Sequence, residues 1–467
     1  MNIVYIHTHD SGRYWEPYGY RVSTPRLAGL AREGTLFRHC YCAGPTCSAS
    51  RASLLTGTWP HVNGMIGLAH RGFKLSDMNM HLVRWLSSHG YETALAGVQH
   101  EAAAAAEIGY HRLLNDEAQA ARQAERQAKR DESHNDATSR KDDATGRKGD
   151  PAAERDLFSA ESAAQYIKER AGRDGSFFLS FGMFNTHRVF PSDTGDVRQD
   201  YVMPPHTLYD CKENREDMAG YLASAAAADR CAGIVLDAID AAGLAENTIV
   251  VCTTDHGIAF PHMKCNLYDA GIGVALMIRY PGNPAAGRAT DALVSHIDVF
   301  PTLCDICGIE KPDWLAGVSL LDVLEGNREQ VNDAIYSEVT YHASYEPMRC
   351  IRTQRYKLIR RFDSHLGFVP SNTDNGQSKR FLLDAGILGR PLQREMLFDL
   401  YLDPMERENL IGDPAYLTVY NDLSKRLLDW MESTDDPLLR VTYRVPLPEG
   451  AIANKLTCLH PEYDDFE

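Results

Sequence analysis

The chain has 467 residues, and its 48 basic against 64 acidic side chains leave a formal charge of −16, which excludes a nucleic-acid or anionic-membrane surface as its main business. At 44% hydrophobic and 24% charged residues the composition is globular, neither disordered nor coiled-coil, so an anionic substrate has to meet a local positive site. Eleven cysteines, an odd number without the dense spacing of a disulfide scaffold, leave at least one thiol unpaired and point to a reducing compartment.

In chain order, Ile3-Val4-Tyr5-Ile6 centres a strand over residues 2–7. It is entered directly from Met1, with no basic segment and no cleavage site, so the expected location is cytoplasmic, or periplasmic or secreted if a signal was removed. No span of about 18 apolar residues occurs, which predicts no membrane helix. Residues 24–33 read as a helix with Thr24 as cap and Pro25 in its first turn; residues 50–55 open another, and 81–89 form a third. Strands are predicted over 92–97, 177–182, 248–253 and 274–279. This alternation is that of an α/β fold, a large domain over 1–333 with a central, mostly parallel sheet flanked by helices. Residues 113–154 lack large apolar side chains and read as a polar surface insertion. From Ala334 the pattern changes to antiparallel strands at 335–341, 350–352 and 356–359 with an amphipathic helix over 415–433, a smaller C-terminal α+β domain covering 334–467. Four strand ends carry polar clusters: His9-Asp10, Gln99-His100, Asn185-Thr186-His187 and Asp255-His256. In parallel sheets ligands sit at the carboxyl ends of the strands.

The most informative stretch is Pro45-Thr46-Cys47-Ser48-Ala49-Ser50-Arg51-Ala52-Ser53-Leu54-Leu55-Thr56-Gly57. A cysteine just ahead of a helix start faces free backbone N–H groups and the positive dipole end, with Arg51 one turn on, which suits an activated nucleophile facing an anion. Here the chain resembles the sulfatase family of the alkaline-phosphatase superfamily, in which a Cys-x-Ala-x-Arg core followed by Ala-Ser-Leu-Leu-Thr-Gly is the site where cysteine is oxidised to formylglycine. Ile6-His7-Thr8-His9-Asp10, Thr24-Pro25-Arg26-Leu27 and Asp255-His256-Gly257 follow the family order, and Leu397-Phe398-Asp399-Leu400 through Asn409-Leu410 resemble its closing segment. Within the family the nearest likeness is to the heparan sulfamidases, carried by Pro60-His61-Val62-Asn63-Gly64, Glu338-Val339-Thr340, Pro347-Met348-Arg349 and Trp430 to Pro437.

The resemblance implies a sulfatase acting on a sulfated saccharide, a glycosaminoglycan unit such as an N- or O-sulfated glucosamine, through formylglycine at Cys47 and one divalent metal. Metal ligands would be Asp10, Asp255 and the oxidised Cys47, with His256 and His9 standing where the family usually has Asn and Asp. These imidazoles move the expected ion from Ca2+ toward Mn2+ without excluding Ca2+. By resemblance Arg51 holds the formylglycine hydroxyl, His61 assists elimination, Lys264 and His187 contact the sulfate and either donates the leaving-group proton, and His100 ends a strand whose usual lysine is replaced by Val98. Glu338 and Arg349 fall where sulfamidases meet the amino sugar, and would equally serve as an ion pair. A formylglycine-generating maturation enzyme is the implied partner, and an oligomer is open. Two other readings stand beside this one: a phosphonate monoester or phosphodiester hydrolase of the same superfamily, and a non-catalytic saccharide binder with unmatured Cys47. Cys304 and Cys307 read as one face of a helix, and His111, His134 and His365 as surface residues.

Overall fold

A computed structural model describes residues 1–120, 150–462 and 465–466. Strand β1 (Asn2–Thr8) is buried along its whole length, as expected of a strand covered on both faces of a parallel sheet. Its residues alternate between two apolar layers. Ile3 and Tyr5 join Leu54, Leu82 and Phe300 on one face, while Val4 and Ile6 join Ala163, Ile167, Val235 and Ile239 on the other. The helices Pro151–Arg170 and Lys212–Ala241 supply that second layer.

The remaining strands of this sheet are β2 (Thr35–Tyr41), β3 (Glu92–Gly97), β4 (Arg112–Leu113), β5 (Phe177–Gly182), β6 (Thr248–Thr254), β7 (Gly273–Val274), β8 (Leu276–Arg279) and β9 (Arg288–Ser295). Their order is β4-β3-β5-β1-β6-β8-β2-β7, with β9 on β2. Strands β3, β5, β1 and β6 run parallel. Their carboxyl ends are level, because His7 pairs with Gly182, Thr8 with Thr254 and Gly97 with Gly182. The four polar clusters therefore leave the sheet at one edge.

Two expectations need correction. The strand expected over 274–279 is two strands, because Ala275 turns its N–H to Gly12 O at 2.9 Å rather than to a ladder. The helix expected to open at Ser50 spans Cys47–Thr56, so Cys47 is its first residue. At the end of the polar stretch 113–154, Asp150 accepts a hydrogen bond from Ala152 N–H and Pro151 starts a 20-residue helix, while residues 121–149 lie outside the described residues. His134 lies outside the described residues.

A second sheet, β10 (Ile335–Tyr341), β11 (Tyr345–Arg352), β12 (Tyr356–Arg361) and β13 (Glu395–Asp399), is antiparallel in sequential order. Helix Leu417–Ser433 packs Leu423, Leu427 and Met431 against Ile351, Leu358 and Leu397. The other face shares one core with the large sheet, where Val339, Met348 and Ile359 meet Phe37 and Cys40. Strand β10 is also tied to the segment entering Cys47. Glu338 N–H donates to Ala43 O at 2.9 Å and Ser337 Oγ to Cys42 O at 2.5 Å. Among the described residues no helix is long and apolar enough to cross a membrane.

Candidate active site

All ten residues of the Cys47–Thr56 helix are buried, so its polar side chains need partners. Ser50 Oγ donates to Asp255 O at 2.5 Å, and Ser48 Oγ accepts from Ala69 N–H at 3.0 Å. Arg51 Nε donates to Asp255 Oδ2 at 3.1 Å, its Nη2 donates to Thr8 O at 3.2 Å, and Nη1 meets His7 Nδ1. These bonds clamp the helix start to the ends of β1 and β6. Cys47 Sγ consequently lies 3.3 Å from His256 Nε2 and 3.8 Å from Asp10 Oδ1. Burial pushes its thiol pKa well above the ordinary value; Lys264 and Arg51 oppose the shift, and Asp10 and Asp255 reinforce it. The unmodified side chain is therefore a thiol, not a thiolate, at neutral pH.

At the end of β1 the chain turns through a left-handed residue, Asp10 at φ 45°, an uncommon conformation outside glycine that recurs at functional sites. The turn lets Asp10 N–H donate to Asp255 Oδ1 at 2.8 Å, an oxygen that also accepts from His256 N–H at 2.9 Å. Burial opposes ionisation of Asp255, but His256, Arg51 and His9 hold its pKa well below the usual carboxylate range. His9 Nδ1 is 3.1 Å from Asp255 Oδ2, and burial together with Arg51 keeps its imidazole neutral, the form that ligates metals. Ligand atoms of His9, Asp10, Cys47 and Asp255 lie within 4.8 Å of one another. His256 Nε2 adds a nitrogen 3.3 Å from Asp10 Oδ1. His9 Nε2 is buried without a hydrogen-bond partner. An orphaned neutral imidazole beside two carboxylates fits a divalent cation of intermediate hardness.

Cations and imidazoles line the next layer. Left-handed backbone at His262 and Cys265, φ 62° each, folds the loop so that Lys264 points inward. Its Nζ sits 3.1 Å from Asp10 Oδ2 and 2.9 Å from Asp374 Oδ2. Burial works against that charge, yet Asp10 and Asp374 raise its pKa well above the usual lysine value. The His100 ring lies 4.5 Å from the His9 ring, and the His187 ring 5.4 Å from it. Burial and Arg51 pull His100 down to about 3. His187 is placed by Asp156, whose carboxylate accepts from the N–H groups of Phe184 and Asn185 at 2.7 and 2.8 Å. Val98, in the position of the missing lysine, donates its N–H to Gly182 O and brings no charge.

The structure thus gathers Cys47, Arg51, Asp10, Asp255, His256, His9, Lys264, His100 and His187. It does not bring His61 there. His61 Nδ1 bonds Glu338 Oε2 at 2.6 Å and its ring stands edge-on to Trp430, because Glu338 also takes the His61 backbone N–H at 2.6 Å. The expectation that His61 assists elimination is replaced by a brace between the short helix Pro60–Asn63 and β10. Of the two readings for Glu338 and Arg349, the ion pair is the one observed. Arg349 is 0% exposed, with Nε 3.1 Å from Glu338 Oε2 and a fork onto Asp436 at 2.6 and 3.0 Å. Neither side chain is open to a sugar. Arg349→Met would leave Asp436 buried without its cation and Glu338 with His61 alone, so urea denaturation should show a loss of about 3–5 kcal/mol; an unchanged midpoint would contradict that account.

Asp374 and His342 are site residues that no sequence pattern marks. Asp374 stands in a polar run after the turn Pro370–Asn372, and His342 follows the last residue of β10. Cys304 and Cys307 lie on the helix Val299–Cys307 as expected. His111 is exposed but accepts from Thr93 N–H at 3.0 Å, and His365, expected at the surface, is half-buried.

The family model named Sulfatase matches residues 1–309, and that named N-sulphoglucosamine sulphohydrolase, C-terminal, matches 259–368. Human N-sulphoglucosamine sulphohydrolase is 28% identical over 93% of this chain and 89% of its own. An ulvan-active sulfatase of Formosa agariphila is 27% identical over 97% and 85%. A structure solved with its substrate D-glucosamine-2-N,6-O-disulfate superposes with a TM-score of 0.65 at 19% identity, covering 94% of this chain and 99% of that one.

Proposed function

This chain belongs to the sulfatase family, whose members are metal-dependent sulfuric ester hydrolases, and from that premise we propose that it removes sulfate from a sulfated saccharide, with an N- or O-sulfated glucosamine as substrate. The observation that carries the reading is the convergence of Cys47 with His9, Asp10, Asp255 and Lys264 in one buried cluster. The substrate class is supported by the human sulfamidase, similar over nearly its full length, and by the glucosamine disulfate in the complex of similar fold.

In this proposal a maturation enzyme converts Cys47 to formylglycine, whose hydrate offers one oxygen to attack sulfur and a second to shed its proton and expel sulfate. His9, Asp10 and Asp255 would hold the divalent cation, Ca2+ or Mn2+, with His256 beside them; when bound it lowers the nucleophile's pKa and balances charge on the sulfuryl oxygens. Arg51 orients Asp255 and fixes the helix start that presents residue 47. Lys264 draws the sulfate toward that residue. His187 or Lys264 hands a proton to the leaving oxygen or nitrogen, and His100, neutral, offers a hydrogen bond at the sulfate's edge. Residues 334–467, taken as a unit, close the pocket and brace the nucleophile segment.

Paired aryl sulfate and aryl phosphonate substrates test the reaction. Preference for the sulfate is expected, and a large preference for the phosphonate would install the phosphonate hydrolase reading instead. Chelation tests the cation apart from turnover. Removing an ion present at a hundred times its dissociation constant should withdraw about 2.7 kcal/mol of stability, read as a lower melting temperature that Mn2+ or Ca2+ restores. A melting temperature indifferent to chelator and to both ions would remove the metal from the proposal.

A further inference from the structure

We propose that Asp374, beside Lys264, forms a subsite that reads a hydrogen-bond donor, a hydroxyl or an amine N–H, on the sugar carbon next to the sulfated position. The inference rests on the sulfatase reading and concerns how that same pocket selects its sugar.

Lys264 is the ammonium that meets the sulfate in that reading, yet its Nζ already sits between two carboxylates, 3.1 Å from Asp10 and 2.9 Å from Asp374. Asp10 has a reason to be there, since its oxygen is one of the clustered ligand atoms. Asp374 is not in that cluster. A second carboxylate on the same lysine screens its charge and repels a sulfate, so for anion binding alone it is a disadvantage.

Its surroundings point to a different use. The backbone on either side of Asp374 is pinned to groups elsewhere in the fold. Asn372 Nδ2 donates to Glu346 Oε2 at 2.9 Å and Asn372 Oδ1 accepts from Ser344 N–H at 2.8 Å. Lys379 Nζ donates to Thr373 O at 2.8 Å, Asn375 Oδ1 at 3.0 Å and Leu459 O at 2.7 Å. The carboxylate is therefore presented from a fixed frame, which is what recognition by geometry requires. Its side chain is 13% exposed, and among the described residues Lys264 is the one partner that reaches it, leaving its second oxygen free to accept. A partly exposed acceptor oxygen next to the sulfate cation matches a sugar that carries a donor beside its sulfate. A charge-assisted bond of this kind is strong, and a site built to make it discriminates sharply against an analogue without the donor.

The test is calorimetric binding to the Cys47→Ala chain, which cannot turn substrate over, with inorganic sulfate, glucosamine N-sulfate (neighbouring hydroxyls) and glucosamine 3-sulfate (a neighbouring amine and a neighbouring hydroxyl) as probes. Asp374→Asn should weaken the saccharide that binds by about tenfold or more and tighten inorganic sulfate severalfold, because it removes a repelling charge. A response of glucosamine N-sulfate identifies the donor as a hydroxyl, and a response confined to glucosamine 3-sulfate that is lost when its amine is acetylated identifies it as the amine. Equal shifts in the same direction for sulfate and saccharide would mean that Asp374 merely orients Lys264 and would overturn the proposal, as would saccharide binding that does not change. If the Cys47→Ala chain with Asp374 intact binds none of the three probes, the sulfatase reading itself fails, an outcome distinct from the other two.

Discussion

Cys47→Ala is expected to abolish hydrolysis of sulfate esters while leaving the protein folded. The side chain is 3% exposed and its contacts are to His256 Nε2 and Asp10 Oδ1, so alanine removes one sulfur atom and creates only a small cavity. Its stability cost should be on the order of 1 kcal/mol. The chemical loss is of another order, because no neighbouring group can replace the atom that attacks sulfur; eliminating a covalent nucleophile costs about 10^6 in kcat in a well-studied hydrolase. Two measurements check it: aryl sulfate turnover by the variant, and the mass of the peptide around residue 47 in the parent, where conversion from thiol to aldehyde lowers the mass. A variant that keeps even a hundredth of the parent's rate would show that residue 47 is not the nucleophile. An entirely unmodified peptide from a host with the maturation machinery would favour the non-catalytic binder.

Arg51→Ala should be nearly as damaging, and to stability as well. Arg51 is 2% exposed and holds three groups at once: Asp255 after β6, and His7 and Thr8 O in β1. Alanine leaves the Asp255 carboxylate buried with one cation fewer, for which a loss of about 3–5 kcal/mol is expected. Because Asp255 Oδ1 in turn holds the N–H groups of Asp10 and His256, the displaced carboxylate would carry the whole ligand set with it. A fall in kcat/KM of at least about a thousandfold follows from such misplacement. Arg51→Lys separates charge from geometry. It keeps a cation but lacks the planar fork, so it should recover part of the stability and little of the rate. Full activity in either variant would dismiss Arg51 as the residue that positions Asp255.

Strands β1, β3, β5 and β6 were legible in the sequence to within a residue, since a strand buried on both faces shows as an unbroken apolar run. Strands β2 and β9 were not. Arg38 and His39 interrupt β2, and β9 begins with partly exposed polar residues, so neither presents a clean period. The site followed the same division. His9, Asp10, His100, His187, Asp255 and His256 come directly off strand ends, where short loops leave little doubt about placement. His61 also lies close to the cysteine in sequence, but its orientation is decided by Glu338, 277 residues later, and proximity along the chain carries no trace of that. Asp374 and His342 reach the pocket from the second sheet and its loops, through contacts that only the tertiary fold creates.

The ties between β10 and the segment before Cys47 also set a clock for biosynthesis. Cys42 and Ser337, joined in the finished protein, are 295 residues apart, so the brace cannot form until that much more chain has left the ribosome. At synthesis rates of about 5–20 residues per second the delay is roughly 15–60 seconds. Throughout that interval the stretch destined to become a fully buried helix remains an accessible peptide, and afterwards a modifying enzyme would have to unfold the protein to reach the thiol. The proposed conversion of Cys47 would thus belong to the nascent chain, and on that proposal the peptide mass measured on chains arrested before residue 337 should already show it.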